Sequence, residues 1–371
     1  MEWLLVNLNP HSLYSDQYIF IIYSAFFLTV VCFSLFINAI FLKFATTLGI
    51  REQEGAVIRW SNVSKPALGG ISFYIAFLFS AACFAIFFED AQLFQDKSAL
   101  ALLGTTVLAF LMGLADDAYD TRPMLKFGVQ FLCGAILIFS ENYIRLFDIE
   151  FLNYLITIFW VVGIMNSINM LDNMDGVTTS VSLSILVICI IAAGFQNEIA
   201  TFEFMSMIGI VAALVGFLFF NWHPSKMFMG DTGSQFLGMF LAFVSVKYLW
   251  NGTLYNGEMN ASQQICQALV AFIVPVIDTT TVFINRMYRG QSPFVGGKDH
   301  TTHHLSYLGL SDSQVGFVLI GINVVSIVMS IAIFKFIDYW LWYHTLAFVT
   351  YFLIVFVTLF GITQKNKERR T

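Results

Sequence analysis

Four polar clusters interrupt an otherwise apolar chain, and their residue types suit the handling of phosphates. Asp116 and Asp117 are adjacent at the end of an apolar run, with Asp120 about one helical turn further on. Three carboxylates this close repel one another unless a cation or protons intervene. At a helix C-terminus they also face the negative end of the macrodipole. A divalent ion or a bound substrate would relieve the conflict; a solvated, helix-ending loop is the plain alternative. The second cluster is the run NSINMLDNMDG, Asn166 to Gly176. Asn166, Asn169 and Asn173 fall at i, i+3 and i+7, with Asp172 at i+6, so most share one face if a helix continues through them. Asp175-Gly176 then reads as a turn. Carboxamide and carboxylate oxygens without Cys or His suit a hard cation, Mg²⁺ or Mn²⁺. A hydrogen-bonded helix end is the alternative.

In the third cluster, FMGDTGS, Asp231 lies between Gly230 and Gly233 just before an apolar run. The glycines allow close backbone approach, and Thr232 and Ser234 could cap a helix. The first N–H groups of that helix would be offered to a phosphate. Phe228, in the preceding polar stretch, could stack on a base, although Phe is abundant enough for packing alone to account for it. The fourth cluster holds Arg286, Arg289, Lys298, Asp299, His300, His303 and His304 in a polar loop over 286–313. Cations beside neutral imidazoles suit anionic or sugar groups, with zinc as the alternative. Asp278, in an apolar run after Pro275, is an intramembrane carboxylate and so a functional candidate by default. Bonding to Thr279 or Thr281 would explain it structurally.

The elements that must position these clusters follow from composition. Of 371 residues, 58% are hydrophobic and 11% charged, against about 45–50% and 25% in soluble domains. That excludes a soluble globule and a disordered chain. Continuous apolar runs near 18–42, 67–88, 98–115, 125–140, 152–168, 178–195, 205–221, 232–250, 263–285, 315–337 and 343–362 predict an all-α integral membrane protein. The architecture is a polytopic bundle of eleven helices, or ten if the short 125–140 run does not span, in one domain over 1–371. The runs show no alternation of the kind a β-barrel needs, and no internal repeat supports a transporter of inverted halves. The five cysteines lie in apolar runs without CxxC spacing and read as buried hydrophobes. No basic tract points to nucleic acid, and MEWLLVNLNP lacks the cationic start of a signal peptide. With eleven spans, all 18 Lys and Arg except Lys97, Arg145, Lys247 and Lys335 fall on one side. That side is expected to be cytoplasmic, which places the N-terminus outside and the basic tail 363–371 inside. All four clusters share that side, where carboxylates, a hard-metal site and cations suit phosphoryl transfer between a nucleotide and a lipid.

Taken in order on one side of a membrane, LADDAYD, NSINMLDNMDG and FMGDTGS, with KPALGGIS (Lys65 to Ser72) before them and HHL (His303 to Leu305) after, resemble the polyprenyl-phosphate N-acetylhexosamine-1-phosphate transferases. The likeness covers most of the chain. It implies transfer of a sugar 1-phosphate from a UDP-N-acetylhexosamine to undecaprenyl phosphate, releasing UMP. By motif, Asn169 and Asp231 would bind Mg²⁺ (or Mn²⁺) with the pyrophosphate, and Asp116 and Asp117 would sit where the lipid phosphate attacks. Lys126 would contact phosphate, Phe228 would stack on uracil and Asp175 would hydrogen-bond it. Asp172, Arg289, His303 and His304 complete the implied substrate-binding set, the 286–304 loop holding the sugar; membrane lipid is a partner and a homodimer is allowed for. One departure stands out: many members carry His-x-His-His, whereas this chain reads Asp-His-Thr-Thr-His-His, with Thr301 where the first His would fall. The Asp-Ala-Tyr-Asp run is closer to the GlcNAc-1-phosphate branch than to the peptidoglycan branch. The competing readings are a secondary transporter and a zinc hydrolase built on His300, His303 and His304.

Overall fold

The computed structural model describes residues 16–45, 65–88, 93–253, 259–292 and 297–365, so the positions of Arg51 and Arg59 and the tail beyond Lys365 lie outside it. Among the described residues the chain is all-helical: α1 (Asp16–Phe44), α2 (Gly69–Phe87), α3 (Lys97–Tyr119), α4 (Pro123–Phe139), α5 (Glu150–Leu171), α6 (Val177–Phe195), α7 (Phe202–Asn221), α8 (Gly230–Ser245) with a π turn (Val246–Trp250), α9 (Ala261–Ala271), α10 (Ile273–Tyr288), α11 (Thr301–Tyr307), α12 (Asp312–Phe336) and α13 (Trp342–Lys365). All eleven apolar runs are helical. Eight helices are long and apolar enough to cross a membrane, and α9 with α10 could make a ninth. The expected ten to eleven spans are thus not reached by length and composition: α4 has 17 residues and α8 has 16, both short of the ~20 a span needs.

The 263–285 run, expected as one span, is bent by 82° between α9 and α10. Pro275 accounts for the break. It lacks the N–H that would bond to Ala271, and its ring crowds that carbonyl. The asparagine cluster also departs from expectation. Helix α5 stops at Leu171, so Asn166 and Asn169 ride on the helix while Asp172 caps its end and Asn173 lies beyond.

The helix that organises the bundle is α8. Every residue from Thr232 to Ser245 is buried, and α2, α3 and α5 pack around it. Close approach by α3 depends on Gly113, where a Cβ would lie 2.3 Å from the Asp231 carbonyl oxygen. On the outside, Phe139, Phe159 and Phe219 are exposed. In a multi-pass membrane protein such rings meet acyl chains at no hydrophobic cost.

Candidate active site

The short loop after α3 turns through Asp120, which takes a left-handed φ of 50°. The turn brings Thr121 back onto Asp116, whose Oδ1 accepts from the Thr121 amide (2.9 Å) and hydroxyl (2.5 Å). The other Asp116 oxygen forms an ion pair with Lys126 on α4. Lys126 Nζ also lies 3.2 Å from Asp231 Oδ2 at the start of α8. The opposite Asp231 oxygen accepts from Asn169 Nδ2 at 2.8 Å, and the same amide donates to Ser234 Oγ at 2.8 Å. Asp116, Lys126, Asn169 and Asp231, from four helices, therefore meet as one constellation. Two carboxylates share a single ammonium and lie within hydrogen-bonding reach of each other. The Asp231 side chain is 34% exposed and that of Asp116 only 4%, which leaves Asp231 the oxygen donor an incoming ion would reach first.

Asp117, next in sequence, does something different. Its Oδ1 accepts from the Asp231 amide (2.9 Å), and its Oδ2 from the Thr232 amide (2.8 Å) and hydroxyl (2.6 Å). The α8 amides that the sequence offers to a phosphate are thus taken by a carboxylate from α3. In this geometry Asp117 caps α8 and fixes where Asp231 stands. Gly230, at φ 76°, admits the arrangement, since a Cβ there would be 2.8 Å from Asp117 Oδ2.

Asp175 plays a similar part for the stretch before α8. It accepts from the Ser225 amide (2.9 Å) and hydroxyl (2.7 Å), and Lys65 Nζ (3.4 Å) and His223 Nδ1 (3.2 Å) adjoin it. Burial would raise its pKa, but these donors and the Lys65 charge hold it below the ordinary carboxylate value. Lys65 also lies 4.9 Å from the centre of the Phe228 ring. Backbone pairing of Phe228 N with Pro66 O, and of Gly69 and Gly70 N with Phe228 and Met229 O, ties the KPALGG segment to the FMGD segment. Asp172 is half-buried just past α5.

The fourth cluster is tied to the same end of the bundle. Thr302 Oγ1 donates to Asn173 Oδ1 at 2.7 Å. Arg286 binds Asp299 through two nitrogens (2.7 and 3.0 Å), and Arg289 Nη2 adds a third contact at 2.6 Å. Burial would raise Asp299, yet the two guanidinium groups bring it down to about 2. The candidate Arg289 is therefore engaged with Asp299. Asp278 accepts from the Thr301 amide and hydroxyl (2.8 and 2.6 Å) and lies 2.8 Å from His300 Nδ1. Thr301, at the position of the missing first His, is turned onto this carboxylate. Asp278 bonds to neither Thr279 nor Thr281; it caps α11. His303 and His304 are buried on α11, their rings edge-on to His300 and Tyr307 respectively. Burial, then the neighbouring His300, lowers His303 to about 3, so it is neutral. Among the described residues no three His, Cys, Asp or Glu side chains form a group able to hold a metal ion.

Lys65, Thr121 and the amide side chains of Gln130 and Gln235 are parts of this region that the motifs did not single out. Lys65 heads the quoted KPALGGIS segment, and Gln130 is a polar residue inside an apolar run four positions after Lys126. Those were the available signals.

Fold and site together define a helical, multi-pass membrane protein with an oxygen-rich, partly neutralised site at one end of its bundle. The model of glycosyl transferase family 4 matches residues 99–249, the stretch that carries Asp116, Lys126, Asn169 and Asp231. A phospho-N-acetylmuramoyl-pentapeptide-transferase of Leuconostoc mesenteroides is 31% identical over 59% of this chain and 77% of its own length. The chain belongs to glycosyl transferase family 4. A Bacillus subtilis protein named "Probable undecaprenyl-phosphate N-acetylglucosaminyl 1-phosphate transferase" is 27% identical over 84% of this chain and 85% of its own length. A Streptococcus pneumoniae phospho-N-acetylmuramoyl-pentapeptide-transferase is 29% identical over 83% and 95%.

Proposed function

We propose that this protein is a polyprenyl-phosphate sugar-phosphate transferase that moves GlcNAc-1-phosphate from UDP-GlcNAc to undecaprenyl phosphate and releases UMP. The observation that carries this reading is the convergence of Asp116, Lys126, Asn169 and Asp231 at one end of the bundle. One acceptor phosphate oxygen attacks the phosphorus that bears the sugar, and the bond from that phosphorus to the oxygen of UMP breaks. A phosphate monoester has a second pKa of about 6, so the acceptor is mostly ionised at neutral pH and Asp116 need remove little. Lys126 supplies positive charge between the two carboxylates, and Asp117 and Thr121 hold Asp231 and Asp116 in register. The donor set fits Mg²⁺ or Mn²⁺, because hard oxygens from one or two carboxylates, completed by substrate phosphates and water, suit such ions. Held by Asp231 and Asn169, the ion would offset repulsion between two anionic reactants and stabilise charge on departing UMP. Direct transfer in one step is favoured over a phosphorylated aspartate, since the Asp116 oxygen not pinned by Thr121 faces the Lys126 ammonium, whose charge makes it a poorer nucleophile than the free acceptor phosphate.

The half-buried Phe228, next to Lys65, is the side chain to stack on uracil, and the 297–307 segment with His303 and His304 is the sugar-facing element. With all eleven apolar runs crossing, the active site faces the cytoplasm, the side richer in Lys and Arg. GlcNAc as the sugar is supported by the Asp-Ala-Tyr-Asp run and the Bacillus relative. UDP-MurNAc-pentapeptide is the second reading, favoured by the identity to the Leuconostoc protein. Purified protein with Mg²⁺, undecaprenyl phosphate and a panel of UDP-sugars should release UMP with UDP-GlcNAc. Release with UDP-MurNAc-pentapeptide alone would select the second reading. Solute uptake by sealed vesicles without UMP release would replace both with a transporter.

A further inference from the structure

One helical turn beneath the site lies a layer of carboxamides that the reaction does not use. Gln130 stands four residues after Lys126 on α4, Asn166 three before Asn169 on α5, and Gln235 four after Asp231 on α8. Helices α4 and α8 run inward from the site and α5 runs toward it, so each amide lies one turn deeper than the site residue on its own helix. The three bond to one another. Asn166 Nδ2 donates to Gln130 Oε1 at 2.8 Å, and Gln130 Nε2 donates to Gln235 Oε1 at 3.1 Å and to Asn166 Oδ1 at 3.4 Å. Asn166 is anchored further by Val162 O at 2.8 Å. Gln130 and Gln235 are 1% and 0% exposed, and Gln235 Nε2 has no hydrogen-bond partner among the described residues.

Stability alone does not ask for this layer. Side chains of Leu or Met would fill the same volume in an apolar bundle and leave no donor without an acceptor. What amides offer and hydrocarbon does not is a fixed direction and distance between helices. Lys126, Asn169 and Asp231 meet only if α4, α5 and α8 keep their separation to a few tenths of an ångström, and 1 Å of misplacement can cost about a hundredfold in rate. We infer that Gln130, Asn166 and Gln235 are positioning residues that set the spacing of these three helices and so the geometry of the Lys126–Asp231–Asn169 contacts. This rests on the transferase reading above for its kinetic consequence, not for its structural one.

The test compares Gln130→Met, Gln235→Met and the double variant with the wild type, in detergent, by Mn²⁺ titration followed by electron paramagnetic resonance, by thermal unfolding and by UMP release. Each single variant is expected to weaken Mn²⁺ about tenfold and to lower kcat ten- to a hundredfold. The KM for the nucleotide sugar should move less than threefold, with the unfolding temperature close to wild type. The double variant should be little worse than either single one, because the layer acts as a unit. Wild-type Mn²⁺ affinity and kcat in folded single variants would overturn the inference, as would fully additive losses in the double variant. Should Gln130→Met not accumulate, Asn166→Leu serves in its place. It removes the donor to Gln130 Oε1 without adding a charge, so it should weaken Mn²⁺ as Gln235→Met does; wild-type Mn²⁺ affinity in folded Asn166→Leu would refute the layer. A wild type that releases no UMP from any donor would defeat the transferase reading alone, because the Mn²⁺ and unfolding comparisons still report on the layer.

Discussion

Replacing Asp117 by Asn separates the cap from the chemistry. The carboxylate accepts three hydrogen bonds from the first turn of α8, whereas an amide offers one acceptor and would point its NH₂ at another donor. Hydrogen bonds to a charged group contribute about 1.5–3 kcal/mol each, against about 0.5–1.5 for neutral ones. A negative charge at a helix N-terminus adds roughly 0.3–1 kcal/mol. Keeping one weakened bond and losing the rest comes to roughly 4–9 kcal/mol with no relaxation; water reaching the half-buried Asp117 offsets about half of that, which leaves roughly 2–4 kcal/mol at the start of α8. If that displaces Asp231, the same figure corresponds to a rate loss of about 30- to 1,000-fold. For a chain this long it should also lower the apparent unfolding temperature by roughly 3–6 °C. Asp116→Asn is the control. Its carbonyl can still accept from Thr121, so the change falls on the contacts to Lys126 and Asp231, and the rate should fall at least as far with a smaller thermal shift. Both quantities are read on detergent-solubilised protein, by UMP release and by intrinsic fluorescence on heating. An Asp117→Asn variant that melts like the wild type yet has lost its activity would refute the capping argument and return Asp117 to direct contact with substrate.

Gly113→Ala puts a Cβ within 2.3–2.6 Å of the Asp231 and Thr232 backbone. No side chain there can yield, so both thermal stability and UMP release should drop by more than for Gly104→Ala on the same helix, where a Cβ meets nothing; equal effects would show that α3 and α8 do not pack this way. His303 is held neutral, with a pKa near 3, by burial and by His300, against the pull of Asp278 and Asp299. Between about pH 6.5 and 3 the unfolded chain binds a proton that the folded one does not, so this group removes about 1.4 kcal/mol of stability per pH unit on acidification. His303→Gln should therefore lose less unfolding temperature than the wild type between pH 7 and 5.5, and parallel curves would contradict it. Lys126→Met leaves Asp116 and Asp231 facing each other without their shared cation, and should abolish turnover while making Mg²⁺ more stabilising against heat. No gain in Mg²⁺ stabilisation would count against an ion between those carboxylates.

Much of this was legible in the sequence. Continuous apolar runs marked every long helix, and the acid and amide clusters marked the end of the bundle where Asp116, Asn169 and Asp231 meet. What could not be read was the direction in which each carboxylate points. Asp116 and Asp117 are neighbours on one helix, about 100° apart around its axis, and only the packing of α3 on α8 decides which of them meets an amide row and which meets Lys126. Periodicity also hid the bend at Phe272, because an apolar stretch containing Pro275 reads the same whether it crosses straight or turns. The end of α5 at Leu171 rests on the turn that carries Asp172 to Gly176, and that turn is fixed by Asp175 reaching a segment some fifty residues later.

The acids sort themselves by how their oxygens are held. Where a helix end is packed against its neighbours, its unpaired N–H groups must find acceptors inside the protein. Asp117 and Asp278 provide this across helices, each binding the amide and hydroxyl of one threonine at the start of α8 or α11. Asp175 and Asp299 are fastened by a serine amide and hydroxyl or by two guanidinium groups. Such carboxylates cannot leave their partners without opening a helix end or a loop, which suits a scaffold and not a reacting group. Asp231 is different, for its oxygens meet the side chains of Asn169, Lys126 and Asp116 and close no helix end or loop. Asp116 lies between the extremes, one oxygen pinned by the Thr121 backbone and the other facing Lys126. Exchangeable partners are what an ion or a phosphate needs in order to enter, so under the proposed transfer reaction Asp231 and the Lys126-facing oxygen of Asp116 are the groups an ion or phosphate would engage, with Asp117 holding Asp231 in register.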